Sequence, residues 1–127
     1  MSTSEHRILV VDDDRDGAES LALLLRMEGY STQSAYDGME ALRLAREFQP
    51  HVVLLDISMP ELDGFDVASR LRAEPWAAGL RVIALTAWNR FDDRARARAV
   101  GFDGYLVKPV DFSTLQQMLH NYCALSQ

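Results

Sequence analysis

Cysteine is nearly missing from this chain: Cys123 stands alone among 127 residues, so no internal disulfide can form. That usage fits a reducing compartment. Long apolar runs are missing too. The longest, such as Leu21 to Leu25, reach about five residues against the roughly 20 that a membrane-spanning helix needs. Residues 1–7 are polar and lack the apolar stretch of a signal peptide, so a cytoplasmic, membrane-free protein is expected. Positive charge is short: 13 basic residues face 19 acidic ones, for a net charge of −6. A basic face is what neutralising nucleic-acid phosphates requires, so direct nucleic-acid binding is not expected. Lysine is the scarcest cation. Twelve of the 13 basic residues are arginine, and the single lysine, Lys108, follows an apolar stretch in Leu-Val-Lys-Pro.

What is present reads as an α/β domain. The length suits one hydrophobic core and not two. A single domain over residues 1–127 is expected, with its core at about 6–125 and no output domain. Short apolar runs at Ile8–Val11, Val52–Leu55, Val82–Leu85 and Tyr105–Val107 are apolar throughout, as parallel strands buried on both faces read. Ser31–Ala35 is weaker and predicts an edge strand. Between the runs the period becomes helical: Leu21, Leu24 and Leu25; then Ala41, Leu44, Ala45 and Phe48; and, near the C-terminus, Leu115, Met118, Leu119, Tyr122 and Leu125. Asp37 with Glu40, and Ser113 with Gln116, have capping-box spacing. Gly29 is a stop after the first helix and Gly101 after the fourth, and Pro75 to Gly79 reads as a loop. Five strand–helix alternations imply right-handed crossovers and an open, doubly wound parallel sheet.

In such sheets ligands bind beyond the carboxyl ends of the strands, where strand order reverses. The first strand ends in Asp12-Asp13-Asp14, the third in Asp56, the fourth in Thr86 and the fifth in Lys108-Pro109. If the first and third strands are neighbours, these groups converge. Two unit charges about 4 Å apart cost about 4 kcal/mol at an effective dielectric of about 20, so clustered carboxylates call for a cation. Oxygen ligands suit Mg²⁺, with Mn²⁺ as a substitute. Lys108 adds an ammonium, and Thr86 a hydroxyl that can hydrogen-bond a phosphoryl oxygen. A metal, an ammonium and a hydroxyl around one carboxylate make a site for in-line phosphoryl transfer to that carboxylate.

Four segments, taken in order, carry a family resemblance over essentially the whole chain: Ile-Leu-Val-Val-Asp-Asp-Asp, Val-Val-Leu-Leu-Asp-Ile-Ser-Met-Pro-Glu-Leu-Asp-Gly, Ala-Leu-Thr-Ala and Gly-Phe-Asp-Gly-Tyr-Leu-Val-Lys-Pro. The chain resembles the response-regulator receiver domains of two-component signalling. The resemblance implies a flavodoxin-like (βα)₅ fold with strand order 2-1-3-4-5. It implies a phosphorylation switch rather than an enzyme, with only intrinsic autophosphorylation and autodephosphorylation and no organic cofactor. Asp56 matches the phosphoacceptor, Asp12 and Asp13 the metal-organising pair (Asp13 the more direct), and Ser58 the position whose backbone carbonyl is a metal ligand. Thr86 matches the switch hydroxyl, Tyr105 the aromatic that changes rotamer with it, and Lys108 the lysine that pairs with the phosphoryl group. Lys108-Pro109 matches a peptide bond usually cis in the family. Ser58 and Trp88 match positions that tune phospho-aspartate hydrolysis. The implied partners are a histidine kinase or histidine phosphotransfer protein, and a downstream protein bound through the fourth helix, fifth strand and fifth helix. A stand-alone regulator and a receiver excised from a hybrid sensor kinase both fit.

Other residues read more plainly. Asp14 or Asp16 serves as a cap of the first helix, and Asp63-Gly64 opens the third. Arg90, Arg94, Arg96 and Arg98 form a solvated face, with a partner-facing patch as the alternative. His6, His51 and His120 are structural or surface residues, and Cys123 packs on the last helix. Rival functions lack their marks. A haloacid-dehalogenase-type phosphatase puts Asp-x-Asp-x-Thr after its first strand, and Asp12 to Asp16 lacks the threonine. A flavodoxin needs a phosphate-cradling Ser/Thr/Gly loop where this chain has carboxylates. A pseudo-receiver would lack part of the residue set.

Overall fold

The structure is a computed structural model that describes residues 6–57, 64–86 and 101–125, the last three of these as backbone only. Its strands are β1 (Arg7–Val11), β2 (Ser31–Ala35), β3 (Val52–Asp56), β4 (Arg81–Thr86) and β5 (Gly104–Val107). Its helices are α1 (Arg15–Met27), α2 (Gly38–Phe48), α3 (Gly64–Arg72) and the C-terminal α4 (Phe112–Leu125). The strands form one parallel sheet in the order β2-β1-β3-β4-β5. Residues 87–100, between β4 and β5, where a further helix is expected, lie outside the described residues.

Alternation along the strands divides the apolar side chains between two cores. Leu9, Val11, Val53, Leu55 and Val82 face α2 and α3, meeting Ala41, Ala45, Val67, Ala68 and Leu71. Ile8, Val10, Val52, Leu54, Ile83 and Leu85 face α1 and α4, meeting Ala18, Ala22, Leu25, Leu115 and Leu119. Every residue of β3 is buried, which is why that strand reads as an uninterrupted apolar run. Each fully buried Leu, Ile or Val contributes about 1.5–3 kcal/mol, so these two layers hold the sheet's register. Among the described residues no helix is long and apolar enough to cross a membrane.

Three local expectations need correction. The inward stripe of α1 is Ala18, Ala22 and Leu25; Leu21 packs only at its margin and Leu24 is exposed. Small alanines let the helix lie close to the sheet, and leucines off that line turn outward. At α4 the capping-box spacing of Ser113 and Gln116 is not used. The Thr114 hydroxyl donates to the Asp111 carboxylate, one residue before the helix, and the Gln116 amide reaches Glu28 beyond the end of α1. Residues 75–77 form a single 3₁₀ turn rather than an irregular loop, with Pro75 opening it. The Asp37–Glu40 reading holds with a shift: Asp37 accepts from the Glu40 N–H, and the Glu40 carboxylate accepts from the Tyr36 N–H.

At the N-terminal end of the sheet a polar network ties the elements together. Arg72, the last residue of α3, donates to the carbonyls of Gly101 and Leu80 and to the Asp103 carboxylate at 2.6 Å. Asp103 also accepts from the Val82 N–H at 2.7 Å, and Tyr122 of α4 donates to its carbonyl. Arg7 donates to the carbonyls of Phe48 and Gln49 at the end of α2, where Gln49 takes a left-handed conformation.

Candidate functional site

The opposite, carboxyl end of the sheet gathers most of the candidate site residues. Because β1 lies between β2 and β3, the crossovers after β1 and β3 run to opposite sides and leave a crevice at the strand ends. Asp12 and Asp56 sit in it, both buried. Asp13 is exposed beside them, and one carboxylate oxygen of each of the three lies within 4.8 Å of the others. Lys108 follows β5 and crosses to the centre. Its ammonium donates to Asp12 at 2.8 Å and to Asp56 at 3.3 Å. The Lys108–Pro109 peptide is cis, and the Lys108 N–H donates to the Thr86 carbonyl at 2.7 Å.

The electrostatics follow from that placement. Burial lowers the Lys108 pKa, but the Asp12 hydrogen bond and the charges of Asp56 and Asp12 outweigh it, so the net shift is upward and the lysine stays an ammonium. Among the described residues one cation then faces three carboxylates. The other oxygen of Asp12 accepts from the Asp14 N–H at 3.0 Å, which holds the β1–α1 turn and orients the carboxylate. Asp14 is the N-cap of α1 by backbone conformation, without a side-chain cap bond, and is not part of the three-carboxylate group.

Thr86 is buried at the end of β4. Tyr105 of β5 is half-buried and packs against Ile57, Phe65 and Ala84. Register pairs Thr86 with Val107 and Ala84 with Tyr105, so the two polar groups stand on neighbouring strands two register steps apart. One contributor escaped sequence reading. A Cβ added at Gly64 would lie 2.6 Å from the Asp56 carbonyl and 2.5 Å from the Ile57 Cα, both backbone atoms that cannot swing aside. Gly64 therefore lets α3 begin directly behind the acidic crevice, and the Asp63-Gly64 turn signal was the only hint of it. Ser58, Trp88 and the arginines at 90, 94, 96 and 98 lie outside the described residues. His6 is buried, His51 stacks on it and His120 is exposed, none of them near the crevice. Cys123 lies within α4.

The residues present fit a hard divalent cation. Three carboxylate oxygens within a few ångströms, with one ammonium among them, leave negative charge for oxygen-liganded Mg²⁺ to balance.

Comparison with known proteins agrees. Residues 8–120 match the family described as the response regulator receiver domain. The chain belongs to that family. It is 38% identical over 119 residues to the DNA-binding dual master transcriptional regulator RpaA of Synechocystis, covering 94% of this chain and 48% of that one. The receiver thus spans about half the length of that regulator. Its fold superposes on the Vibrio cholerae chemotaxis protein CheY4 with a TM-score of 0.88 at 29% identity, covering 92% and 98% of the two chains. It also matches the complex of the Saccharomyces cerevisiae histidine phosphotransfer signaling protein Ypd1 with the receiver domain of its downstream response regulator Ssk1. There the TM-score is 0.86 at 26% identity, covering 95% of this chain and 90% of that one. Receiver domains of two-component response regulators are signalling switches rather than classical enzymes, and this chain is one of them.

Proposed function

We propose that Asp56 accepts a phosphoryl group from a histidine kinase or histidine phosphotransfer protein, and that the resulting change at Thr86 and Tyr105 alters protein contacts. The observation that carries this reading is the Lys108 ammonium held between Asp12 and Asp56, beside a third carboxylate. In the transfer, an Asp56 carboxylate oxygen forms the new bond to phosphorus as the bond to the donor's imidazole nitrogen breaks; that nitrogen then takes up a proton. Asp12, Asp13 and Asp56, with the Ser58 carbonyl, are the residues that would hold Mg²⁺, whose charge would stabilise the transferring phosphoryl oxygens. Lys108 supplies the second positive charge at those oxygens, and burial keeps it close, because nearby water would weaken the interaction.

The Thr86 hydroxyl then donates to a phosphoryl oxygen, and the Tyr105 ring follows into the space released. A partner that distinguishes the two arrangements is required for any output. We assign that partner to the surface built by β5, α4 and the segment before β5, and expect it to be a protein. The DNA-binding activity in the name of the Synechocystis relative belongs to a chain about twice as long.

A phosphoramidate reaction followed by intact-mass measurement tests the reading. Wild type should gain one phosphoryl mass in the presence of Mg²⁺, and Asp56→Asn, which keeps the shape but removes the nucleophile, should gain none. Equal labelling of the two proteins would remove Asp56 from the mechanism.

A further inference from the structure

The N-terminal end of the sheet, far from Asp56, holds a cleft of about 350 Å³ whose lining includes Arg7, His51, Trp76 and Arg81. Among the described residues no aspartate or glutamate lines it. Its polar groups are mostly donors. Arg7 commits Nε and Nη2 to the carbonyls of Phe48 and Gln49, and among the described residues Nη1 has no acceptor. His51 accepts the Arg7 backbone N–H on Nδ1 at 2.9 Å, so in its neutral form the ring carries its proton on Nε2.

A second observation converges on the same place. Among the described residues three buried side-chain nitrogens have no hydrogen-bond partner: Trp76 Nε1, Arg81 Nε and His6 Nδ1. Two belong to residues of the cleft wall, and the third sits on the ring stacked edge-on against His51, with centroids 5.3 Å apart. The indole and guanidinium N–H groups can only donate. A buried donor left unpaired costs about 1–3 kcal/mol, so each calls for an acceptor. Asp103 accepts from Arg81 Nη1 at 3.5 Å on one oxygen and from Arg72 and the Val82 N–H on the other, which leaves Arg81 Nε unpaired.

We propose that this cleft binds a small oxyanion, a carboxylate- or phosphate-bearing molecule. Its oxygens take up the donors of Trp76 and Arg81, and its charge is met by Arg7 and Arg81. Water in the cleft would leave Arg7 without a carboxylate partner among the described residues and Arg81 with only a share of Asp103. The local field has the matching sign: burial, the Arg7 charge and the neighbouring His6 all hold His51 below its usual pKa. A polyanion such as nucleic acid fits less well, because the chain as a whole carries net charge −6.

The test uses the full chain in metal-free buffer with Trp88→Phe, which leaves Trp76 as the sole tryptophan. Inorganic phosphate and citrate are titrated separately against chloride at matched ionic strength. The expected result is a saturable change in Trp76 fluorescence, with a dissociation constant on the order of 1 mM for at least one probe. The stronger of the two then identifies phosphate or carboxylate as the recognised group. Arg81→Gln should weaken binding at least tenfold, while Arg26→Gln on α1 should leave it unchanged. Since Arg81→Gln also loses its contact with Asp103, Trp76→Phe provides a second variant. It keeps an aromatic ring, though a smaller one, and removes the N–H, and should shrink the anion-induced rise in Tm. By NMR the His51 titration midpoint should move upward as the anion fills the cleft and offsets Arg7, His6 and Arg81. A response no larger than that to chloride, or one equal in wild type and Arg81→Gln, would overturn the proposal.

Discussion

The two ends of the sheet are built on opposite electrostatic plans. At the carboxyl end, three carboxylates share one ammonium: Asp12, Asp13 and Asp56 with Lys108. At the amino end, one carboxylate, Asp103, is shared by two guanidiniums and a backbone N–H, and Arg72 has its remaining donors on carbonyls. The first arrangement carries excess negative charge and gains when a cation arrives. In the second, both oxygens of the carboxylate are engaged, and they join α3, β4 and the approach to β5. A switch needs both, because a site that changes state must move against a part of the fold that does not.

The contrast breaks first, and hardest, at the amino end. Asp103→Ala leaves Arg72, Arg81 and the Val82 N–H without their acceptor. The ion pair is partly exposed, so solvent recovers some of the loss, and destabilisation of about 2–3 kcal/mol is expected in urea unfolding. A loss below about 0.5 kcal/mol would show that this end is not an anchor. Next in size is Gly64→Ala. Its methyl group would press on the backbone of Asp56 and Ile57, so a cost of about 2 kcal/mol is expected, together with slower phosphorylation because the nucleophile itself is displaced. Unchanged phosphorylation kinetics would separate α3's close approach from the positioning of Asp56.

Sequence made the carboxyl end more legible than the amino end, for a physical reason. Asp12, Asp56, Thr86 and Lys108 each follow a buried apolar run, and strand ends in a parallel sheet must meet along one edge; four short segments therefore locate the crevice. Arg72, Asp103 and the Gly101 carbonyl come together only through the packing of α3 against the turn before β5, about 30 residues away in sequence, and no local pattern announces that. The helix stripes show the same limit. Periodicity in α1 located the helix, but which of Leu21, Leu24 and Ala22 faces inward depends on how close the sheet lies. Gly64 shows it most sharply, since a turn glycine and a glycine required by backbone contact look alike in sequence.

At the unbalanced end the signs should reverse. Lys108→Met removes the only ammonium between Asp12 and Asp56 and should destabilise the metal-free protein by about 1–2 kcal/mol, while Mg²⁺ binds as tightly as before or more tightly. Asp13→Asn relieves repulsion at an exposed position. It should raise metal-free stability by up to about 0.5 kcal/mol and weaken Mg²⁺ binding about tenfold or more, read by calorimetry. If both variants lost Mg²⁺ affinity equally, the division between a ligand carboxylate and a competing ammonium would be wrong.

The smallest expected effect belongs to the amino end and depends on pH. Burial is the main cause of the lowered His51 pKa, with the charges of Arg7 and His6 adding to it. The folded state therefore prefers the neutral ring, whose Nδ1 accepts the Arg7 N–H. In the unfolded chain the same histidine titrates near its ordinary value of about 6.5. As pH falls below that value the unfolded state takes up the proton first and stability drops; the loss is complete once pH passes below the folded pKa. Because the ring is only half-buried, solvent screening limits the effect to about a few tenths of a kcal/mol. His51→Asn retains an acceptor for the Arg7 N–H and does not titrate. In phosphate-free buffer, unfolding of wild type should become easier between pH 7 and 5 by that margin relative to His51→Asn. Parallel pH profiles for the two proteins would mean that the amino end takes no part in acid sensitivity.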